Sequence, residues 1–222
     1  MIEGEGAMRI TILGGTGKLG KALGICLAEL DHNIIIGSRS KERAQIVAEE
    51  INASIGKEKA NGCKNEESLN GSQLVILAIP GQERKSFIKK VASDLKGKVV
   101  LDVTVPLQPG PIFRYSPPAA GSNAQETEQL IGDGSTVVAG FHTVSAGLLK
   151  EKQTRLGEDV LVAGNSAEAK EMVLELIKTM GMRGFDAGPL ENSPIIESLT
   201  ALIINLNKKY KRKHIGIKLT GI

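Results

Sequence analysis

Three glycines at a fixed spacing are the residues of this chain that most directly predict chemistry. Gly15, Gly17 and Gly20 follow the apolar run of residues 8–13 in a Gly-x-Gly-x-x-Gly pattern. The first glycine permits a sharp turn, the second lets a phosphate approach the backbone, and the third lets a helix pack closely. A helix that begins near Lys18 would direct unpaired N–H groups and its positive dipole end at that phosphate. The pattern predicts a pyrophosphate-binding turn.

Polar residues at 38–43 bear on which dinucleotide would bind. Folds that bind NAD usually carry Asp or Glu at the end of the second strand, where the carboxylate bonds the ribose 2′-OH. This chain instead has Ser38 and Arg39 there, with Arg43 one helical turn later. A hydroxyl and two guanidinium groups can bind a 2′-phosphate, so we expect NADP. The alternative is a solvated basic helix start, although cations oppose the dipole at a helix N-terminus.

One histidine, His142, follows a predicted strand at the edge where a nicotinamide would lie. It fits either a residue that orients the reacting groups or a hydrogen-bonded structural residue. The chain has no Tyr-x-x-x-Lys pair, no metal-ligand cluster and no nucleophile elbow. An alcohol dehydrogenase needs a placed acid–base group. Hydride transfer between two stacked cofactor rings depends mainly on proximity and orientation, and this chain suits it better.

The elements around these residues predict an α/β fold. The glycines follow a strand (8–13) and precede a helix (21–30) and a second strand (34–37), and these three elements form one βαβ unit. Apolar runs at 74–80 and 98–106 predict central parallel strands. We therefore expect a Rossmann-type, doubly wound, mostly parallel sheet with a smaller C-terminal part. The remaining predicted strands are 136–141, 159–164 and 182–186. The remaining predicted helices are 44–55, 83–95, 124–131 and 167–180. Two segments are read as loops: 56–71, which contains a turn at 61–62, and 107–121.

The carboxyl end combines an apolar helix with a basic tail. Ser193 and Pro194 predict the N-cap and first turn of a helix that is apolar almost all round. Such a helix must be covered on more than one side. Either the sheet or another subunit could cover it, and we favour a homodimer or higher homo-oligomer. Five cations within residues 208–214 are either a solvated helix end or a site for an anionic partner. Residues 215–219 alternate in polarity and predict a short strand beside the cleft.

Composition sets broader limits. The 222 residues are 41% hydrophobic but only 3% aromatic, which predicts an aliphatic core. A net charge of +3 is too small to indicate nucleic-acid binding. No apolar run has the length of a membrane span, and residues 1–7 lack a signal-peptide core. We expect a cytoplasmic protein with no metal, whose residues 1–147 form a dinucleotide-binding domain. Residues 148–222 are expected to complete the cleft and to supply the dimer contact.

Taken together, the motifs resemble those of the NADPH-dependent reductases of coenzyme F420 (F420:NADP oxidoreductases) of archaea and some bacteria. The resemblance covers essentially the whole chain from Met8, and its C-terminal motifs are more specific than the glycines. The matching segments are GGTGKLG (14–20), IGSR (36–39), AIP (78–80), VTVP (103–106), FHTVSA (141–146), DAGPLEN (186–192), IESLTALIIN (196–205) and GIK (216–218).

The resemblance implies two ligands in one cleft, NADP and the 5-deazaflavin F420, whose rings face each other. It implies a role for each of several groups of residues. These are Thr16, Gly17, Lys18 and Leu19 for the pyrophosphate; Ser38, Arg39 and Arg43 for the 2′-phosphate; Ile79, Pro80 and Ala146 for the nicotinamide; and Ile215 and Leu219 for the deazaflavin. Gly15, Ala78 and Val103 belong to the same motifs and are expected to contact the cofactors. Lys18 stands where relatives often carry a polar or acidic residue. We infer in addition that the tail cations face the phosphate and glutamate-rich tail of the deazaflavin.

Two other functions fit the same residues. One is an NADPH-dependent reductase of a flavin, a ferric chelate or a small carbonyl compound. The other is a non-enzymatic, NADP-sensing subunit whose basic tail docks on a protein partner.

Overall fold

The fold is given by a computed structural model that describes residues 6–81, 83–134, 136–150 and 157–222. The strands are β1 (Arg9–Leu13), β2 (Asn33–Ser38), β3 (Ala60–Lys64), β4 (Leu74–Leu77), β5 (Val99–Asp102), β6 (Leu107–Gln108), β7 (Arg114–Tyr115), β8 (Thr136–Ala139), β9 (Asp159–Gly164) and β10 (Arg183–Asp186). The α-helices are α1 (Lys18–Glu29), α2 (Lys41–Ile55), α3 (Glu83–Leu95), α4 (Asn123–Ile131), α5 (Ala146–Lys150), α6 (Ala167–Thr179) and α7 (Ser193–Lys209).

Eight of these strands form one sheet in the order β10-β9-β8-β5-β4-β1-β2-β3. The six strands from β3 to β8 in this order are parallel to one another. Strand β9 is antiparallel to β8, and β10 is parallel to β9. The mostly parallel α/β sheet predicted from the sequence is confirmed. Because β9 runs backwards, its first residue lies beyond the carboxyl end of β8.

The strand order reverses at β1, which lies between β2 and β4. From β1 the chain proceeds outward through β2 and β3 and then returns to the other side of β1 as β4. In open α/β sheets, ligands bind beyond the carboxyl ends of the strands at such a reversal. The topology therefore places the crevice above the glycine turn that follows β1.

Helices cover both faces of the sheet through two buried aliphatic layers. One layer joins the sheet to α1, α2 and α6, and the other joins it to α3, α4 and α7. The bulkiest fully buried side chains are isoleucines and leucines, as the low aromatic content predicted. Burying each of these contributes about 1.5–3 kcal/mol relative to exposure. Among the described residues, no helix combines the length and the apolarity that a membrane span requires.

Strand β3 was not predicted, because the polar residues around Asn61 and Gly62 resemble a turn. The strand pairs with β2 at the edge of the sheet, where polar side chains can face solvent. Gly62 is needed here because a Cβ at this position would overlap the backbone of Ala44 and Gln45 in α2. The predicted loop at 107–121 likewise contains a short hairpin, β6–β7.

Two predictions for the carboxyl end are wrong. Ser193 is not the N-cap of α7 but its first residue, and Asn192 is the N-cap. The Ser193 hydroxyl does not cap the helix; it donates to the Leu190 carbonyl at 2.7 Å. Residues 215–219 form no strand, although Asp159 at the start of β9 donates its N–H to the Ile217 carbonyl at 2.8 Å. The division into two domains at residue 147 stays a prediction. Strands β9 and β10, which follow that residue, extend the same sheet.

Asn52 of α2 holds the start of β3, and its loss should destabilise the fold. Its side chain accepts from the Ala60 N–H at 2.7 Å and donates to the Ala60 carbonyl at 2.9 Å, at a buried position. Asn52→Ala should lower the free energy of unfolding by about 2–4 kcal/mol, because buried backbone groups lose their partners. Urea denaturation measures this. The exposed control Asn70→Ala should change stability by less than about 0.5 kcal/mol, and equal losses would contradict this role of Asn52.

Candidate functional site

A cavity of about 970 Å³ lies at the carboxyl edge of the parallel strands. It is large enough for a dinucleotide-sized ligand and part of a second one. Residues from the glycine turn, the tips of β2, β4 and β5, the start of α3 and the segment after β8 contribute to its walls. Of the residues predicted to bind the cofactors, the cavity is lined by Thr16, Gly17, Lys18, Leu19, Ser38, Arg39, Arg43, Ala78, Ile79, Pro80, Val103 and His142.

The glycine turn is packed closely against Ala78 and α1, but its backbone at Gly17 is open toward the cavity. Gly14 has a φ of +71°, and a Cβ there would lie 2.9 Å from the Ala78 carbonyl oxygen. A Cβ on Gly20 would lie 2.8 Å from the Cα of Gly15, so α1 packs directly on the turn. A Cβ on Gly17 would touch only the Gly14 carbonyl, at 3.4 Å. Gly17 is therefore the point where a ligand can approach the backbone.

Helix α1 begins at this turn without a side-chain cap. Gly17 is its N-cap, and the first turn contains no acidic residue. The N–H groups of a first turn have no partners within the helix, and they carry the positive end of its dipole. A phosphate group can satisfy them, which is the chemistry that the glycine pattern predicted.

The basic wall of the cavity is formed by Ser38 and Arg39 at the tip of β2 and by Arg43 in the first turn of α2. Ser38 is buried, and its hydroxyl accepts weakly from the Ser40 N–H at 3.4 Å. Arg39 and Arg43 are exposed, and Arg43 forms no ion pair with a carboxylate of the described residues. The guanidinium of Arg39, by contrast, lies 2.6 Å from the carboxylate of Glu83 at the start of α3. This acid could not be identified from the sequence, because it lies 44 residues away along the chain.

The floor of the cavity is apolar. Ile79 and Val103 follow β4 and β5 and are almost completely buried, and Ala78 is partly exposed beside them. Flat aliphatic surfaces of this kind can support one face of a nicotinamide ring and exclude water from it. Asn65, which lies in a segment read from the sequence as a loop, also lines the cavity and accepts from the Gly14 N–H at 3.2 Å.

His142 is buried at the inner wall of the cavity, with 5% of its surface exposed. Neither ring nitrogen makes a hydrogen bond of good geometry in the described part of the chain. Its carbonyl accepts from the Thr200 hydroxyl of α7 at 2.8 Å, and Thr200 also lines the cavity. The preceding residue, Phe141, has a φ of +63°, a strained conformation for a non-glycine residue. The positive φ of Phe141 and the Thr200 contact thus both act on the backbone that carries the imidazole.

Burial lowers the pKa of the His142 imidazole to about 4, although the nearby charge of Asp102 and its backbone carbonyl act in the opposite direction. The ring is therefore neutral near pH 7, with one N–H donor and one acceptor nitrogen. A neutral imidazole of this kind can orient a polar group, but it is a poor proton donor.

A buried polar network supports this wall from behind. Asp102 at the end of β5 accepts from the Thr104 N–H at 2.9 Å and from the Thr127 hydroxyl at 2.6 Å. Asn123 donates to the Thr104 hydroxyl at 2.9 Å, and its own N–H donates to Glu197 of α7 at 2.9 Å. Burial, aided by the charge of Asp102, raises the pKa of Glu197 to about 8. The sequence did not indicate this network, because apart from the Asp102–Thr104 contact its pairs join elements that are distant in the chain.

Four of the predicted site residues do not line the cavity. Gly15 is buried beneath the turn. Ala146 begins α5, and Ile215 and Leu219 lie in the C-terminal segment. That segment approaches α5 through a 2.8 Å contact between His214 Nδ1 and the Ser145 hydroxyl, and it reaches β9 where the Leu219 N–H donates to Asp159 at 2.6 Å.

The basic tail lies at the end of α7. Lys208, Lys209, Lys211, Arg212 and Lys213 are exposed, and in the described residues none of them pairs with a carboxylate. Thr200 in the cavity wall precedes Lys208 by eight residues of the same helix, a rise of about 12 Å. Across the described ranges, no group of three or more His, Cys, Asp or Glu side chains could hold a metal ion.

The low pKa of His142 can be measured by NMR titration. The ring signals should titrate with a midpoint near 4, whereas histidines of the urea-unfolded chain should titrate near 6.5. Between these values the unfolded chain binds a proton that the folded chain does not, so the free energy of unfolding should fall as the pH drops from about 6.5 to about 4. His142→Gln should remove part of that decrease. A midpoint of 6 or above in the folded protein would contradict the assignment.

Comparison with known proteins gives a consistent result. Residues 9–106 match the family model described as NADP oxidoreductase coenzyme F420-dependent. The chain is 37% identical over 224 residues to the F420-dependent NADP reductase of Methanocaldococcus jannaschii, covering 97% of this chain and 99% of that protein. It is 34% identical over 222 residues to the F420-dependent NADP reductase of Methanothermobacter marburgensis, with the same coverage.

A solved structure supports the fold independently. The crystal structure of a putative F420-dependent NADP reductase from Arthrobacter superposes with a TM-score of 0.82, covering 96% of this chain and all of that one at 24% identity. At this identity the superposition bears on the fold alone. The family follows from the full-length relatives above 30% identity: the chain belongs to the F420-dependent NADP reductases.

Proposed function

We propose that this chain is an oxidoreductase that transfers a hydride between NADP(H) and coenzyme F420. The observation that carries the proposal is its family membership over nearly the full chain. The cavity at the strand reversal supports it, because its walls offer a phosphate-binding turn, a basic rim and an apolar floor. Both directions of transfer would use this one site.

NADP fits the residues of one half of the cavity. The uncapped first turn of α1 can receive the pyrophosphate, and Gly17 leaves the space that this requires. Ser38, Arg39 and Arg43 can hold the 2′-phosphate with a hydroxyl and two guanidinium groups. NADPH, when bound, supplies the hydride. Lys18 would add a positive charge beside the pyrophosphate.

The protein's part in the transfer is to position rings and exclude water. Ala78, Ile79, Pro80 and Val103 would border the nicotinamide with an apolar surface. The neutral His142 ring, whose nitrogens make no hydrogen bond of good geometry to the described residues, would orient a polar group of one cofactor. Catalysis would then rest on proximity and orientation, without a covalent step.

The deazaflavin would lie against the open side of the nicotinamide. Ala146, Ile215 and Leu219 would border it from α5 and the C-terminal segment, which meet at the His214–Ser145 contact. The exposed cations that end α7 would face its anionic tail. We also propose a cytoplasmic location. A homo-oligomer is proposed because Ile195 and Leu202 of α7 are 64% and 54% exposed and a second copy of the chain would cover them.

Bleaching of the deazaflavin tests the proposal directly. Mixing the protein with F420 and NADPH without oxygen should abolish the deazaflavin absorbance, and NADH should be a much poorer reductant. Parallel reactions should contain a free flavin, a ferric chelate and a small aldehyde. An unbleached deazaflavin together with turnover of one of these acceptors would indicate a different reductase. Tight NADPH binding without turnover of any acceptor would indicate a sensing subunit.

Arg39→Ala tests the cofactor assignment. Loss of a charge-assisted contact costs about 1.5–3 kcal/mol, so NADPH should bind about ten- to a hundredfold more weakly. NADH lacks the 2′-phosphate, and its dissociation constant should change by less than about threefold. Fluorescence titration with both nucleotides measures the difference. Equal losses for the two would remove Arg39 from 2′-phosphate recognition.

A further inference from the structure

Two ion pairs lie along the mouth of the cavity, and one of them, Arg39–Glu83, spans the entrance above the glycine turn. Arg39 Nη1 is 2.6 Å from Glu83 Oε1, and Lys90 Nζ is 2.7 Å from Glu66 Oε1. All four residues line the cavity. The side chains of Arg39 and Glu83 are 76% and 60% exposed, and those of Lys90 and Glu66 are 66% and 41% exposed. Such pairs are weak and can exchange partners.

The Arg39–Glu83 pair crosses the entrance above the glycine turn. Arg39 directly follows β2, and Glu83 is the first residue of the helix that follows β4. Strand β1 lies between β2 and β4 in the sheet. An ion pair that joins the residues after β2 and β4 therefore spans the carboxyl end of β1, where the dinucleotide would enter.

This pair occupies the guanidinium that the proposed function assigns to the 2′-phosphate. A phosphate monoester carries a charge of about −1.5 to −2 at neutral pH. It must therefore either displace the Glu83 carboxylate from Arg39 or bind beside a like charge, and both lower the affinity. A 2′-hydroxyl carries no charge and meets neither cost.

We propose that Glu83 is a specificity-determining residue, an exchangeable counter-ion that holds Arg39 across the cavity mouth and yields it to the 2′-phosphate. This inference rests on the proposed function. Glu83 sets how strongly the chain prefers NADP(H) over NAD(H), and it limits the affinity for the phosphorylated nucleotide. It has no part in the hydride transfer itself.

Glu83→Gln is the variant that tests this role. Glutamine keeps the size and the hydrogen-bonding capacity of the side chain and removes only its charge. The dissociation constant of NADPH, measured by fluorescence titration, should fall by about two- to fivefold at low salt. That of NADH should change by less than twofold. The gain should shrink as salt is raised from about 0.05 M to about 0.5 M, because exposed charges are screened.

Glu66→Gln is the matched control. It removes the same charge from the same cavity but leaves the Arg39–Glu83 pair intact, so its effect on NADPH should be clearly smaller than that of Glu83→Gln. In an Arg39→Ala background, at least half of the gain from Glu83→Gln should disappear, since the two residues act through one contact.

Three results would overturn the inference. They are an unchanged or weaker NADPH affinity in Glu83→Gln, an equal gain for NADH, and an equal gain in Glu66→Gln. The first would mean that Glu83 does not compete with the phosphate, and the other two would mean that only the net charge of the mouth matters. Failure of the proposed function would look different: the unmodified chain would leave the deazaflavin unbleached, or it would show no preference for NADPH and no effect of Arg39→Ala.

Discussion

The turn after β1 is held in place by hydrogen bonds to its neighbours, and the rest of the site depends on this anchoring. Gly15 donates its N–H to the Gly37 carbonyl of β2 at 2.9 Å, and Gly14 donates to Asn65 at 3.2 Å. On the other side, Gly14 packs on the Ala78 carbonyl beyond β4. The phosphate-binding turn, the basic tip of β2 and the apolar end of β4 are thus fixed relative to one another before any ligand arrives.

The cavity therefore has two kinds of wall, a buried floor and a charged mouth. The floor is built from buried residues: Ile79 and Val103 pack into the core, and Asp102 is satisfied by a network that extends to α4 and α7. The mouth carries exposed charges, some of which are joined in weak pairs. A rigid floor suits a task of orientation, because a ring must be held within narrow limits for hydride transfer. A charged and adaptable mouth suits capture of an anionic ligand.

Local sequence predicted the parts of the fold that depend on local patterns. The βαβ unit, the glycine turn and the apolar strands β4 and β5 all follow from periodicity and residue type. Strand β3 could not be predicted, since it depends on Asn52 of α2 and on the close approach of Gly62 to α2. The ion pair between Arg39 and Glu83 and the hydrogen bond from Thr200 to the His142 carbonyl could not be predicted from the sequence either. Each joins residues more than 40 positions apart, which only the folded chain brings together.

The reversed direction of β9 has a consequence for how the two chain ends are placed. Met8 leads into β1 at the amino edge of the sheet, where its N–H bonds His32 just before β2. The last residues pass along α5 and the start of β9, on the opposite edge, and the Leu219 carbonyl accepts from Arg183 at 2.9 Å. A surface attachment placed just before Met8 would therefore start at the amino edge of the sheet, whereas one placed just after Leu219 would start at the carboxyl edge, on which the crevice opens.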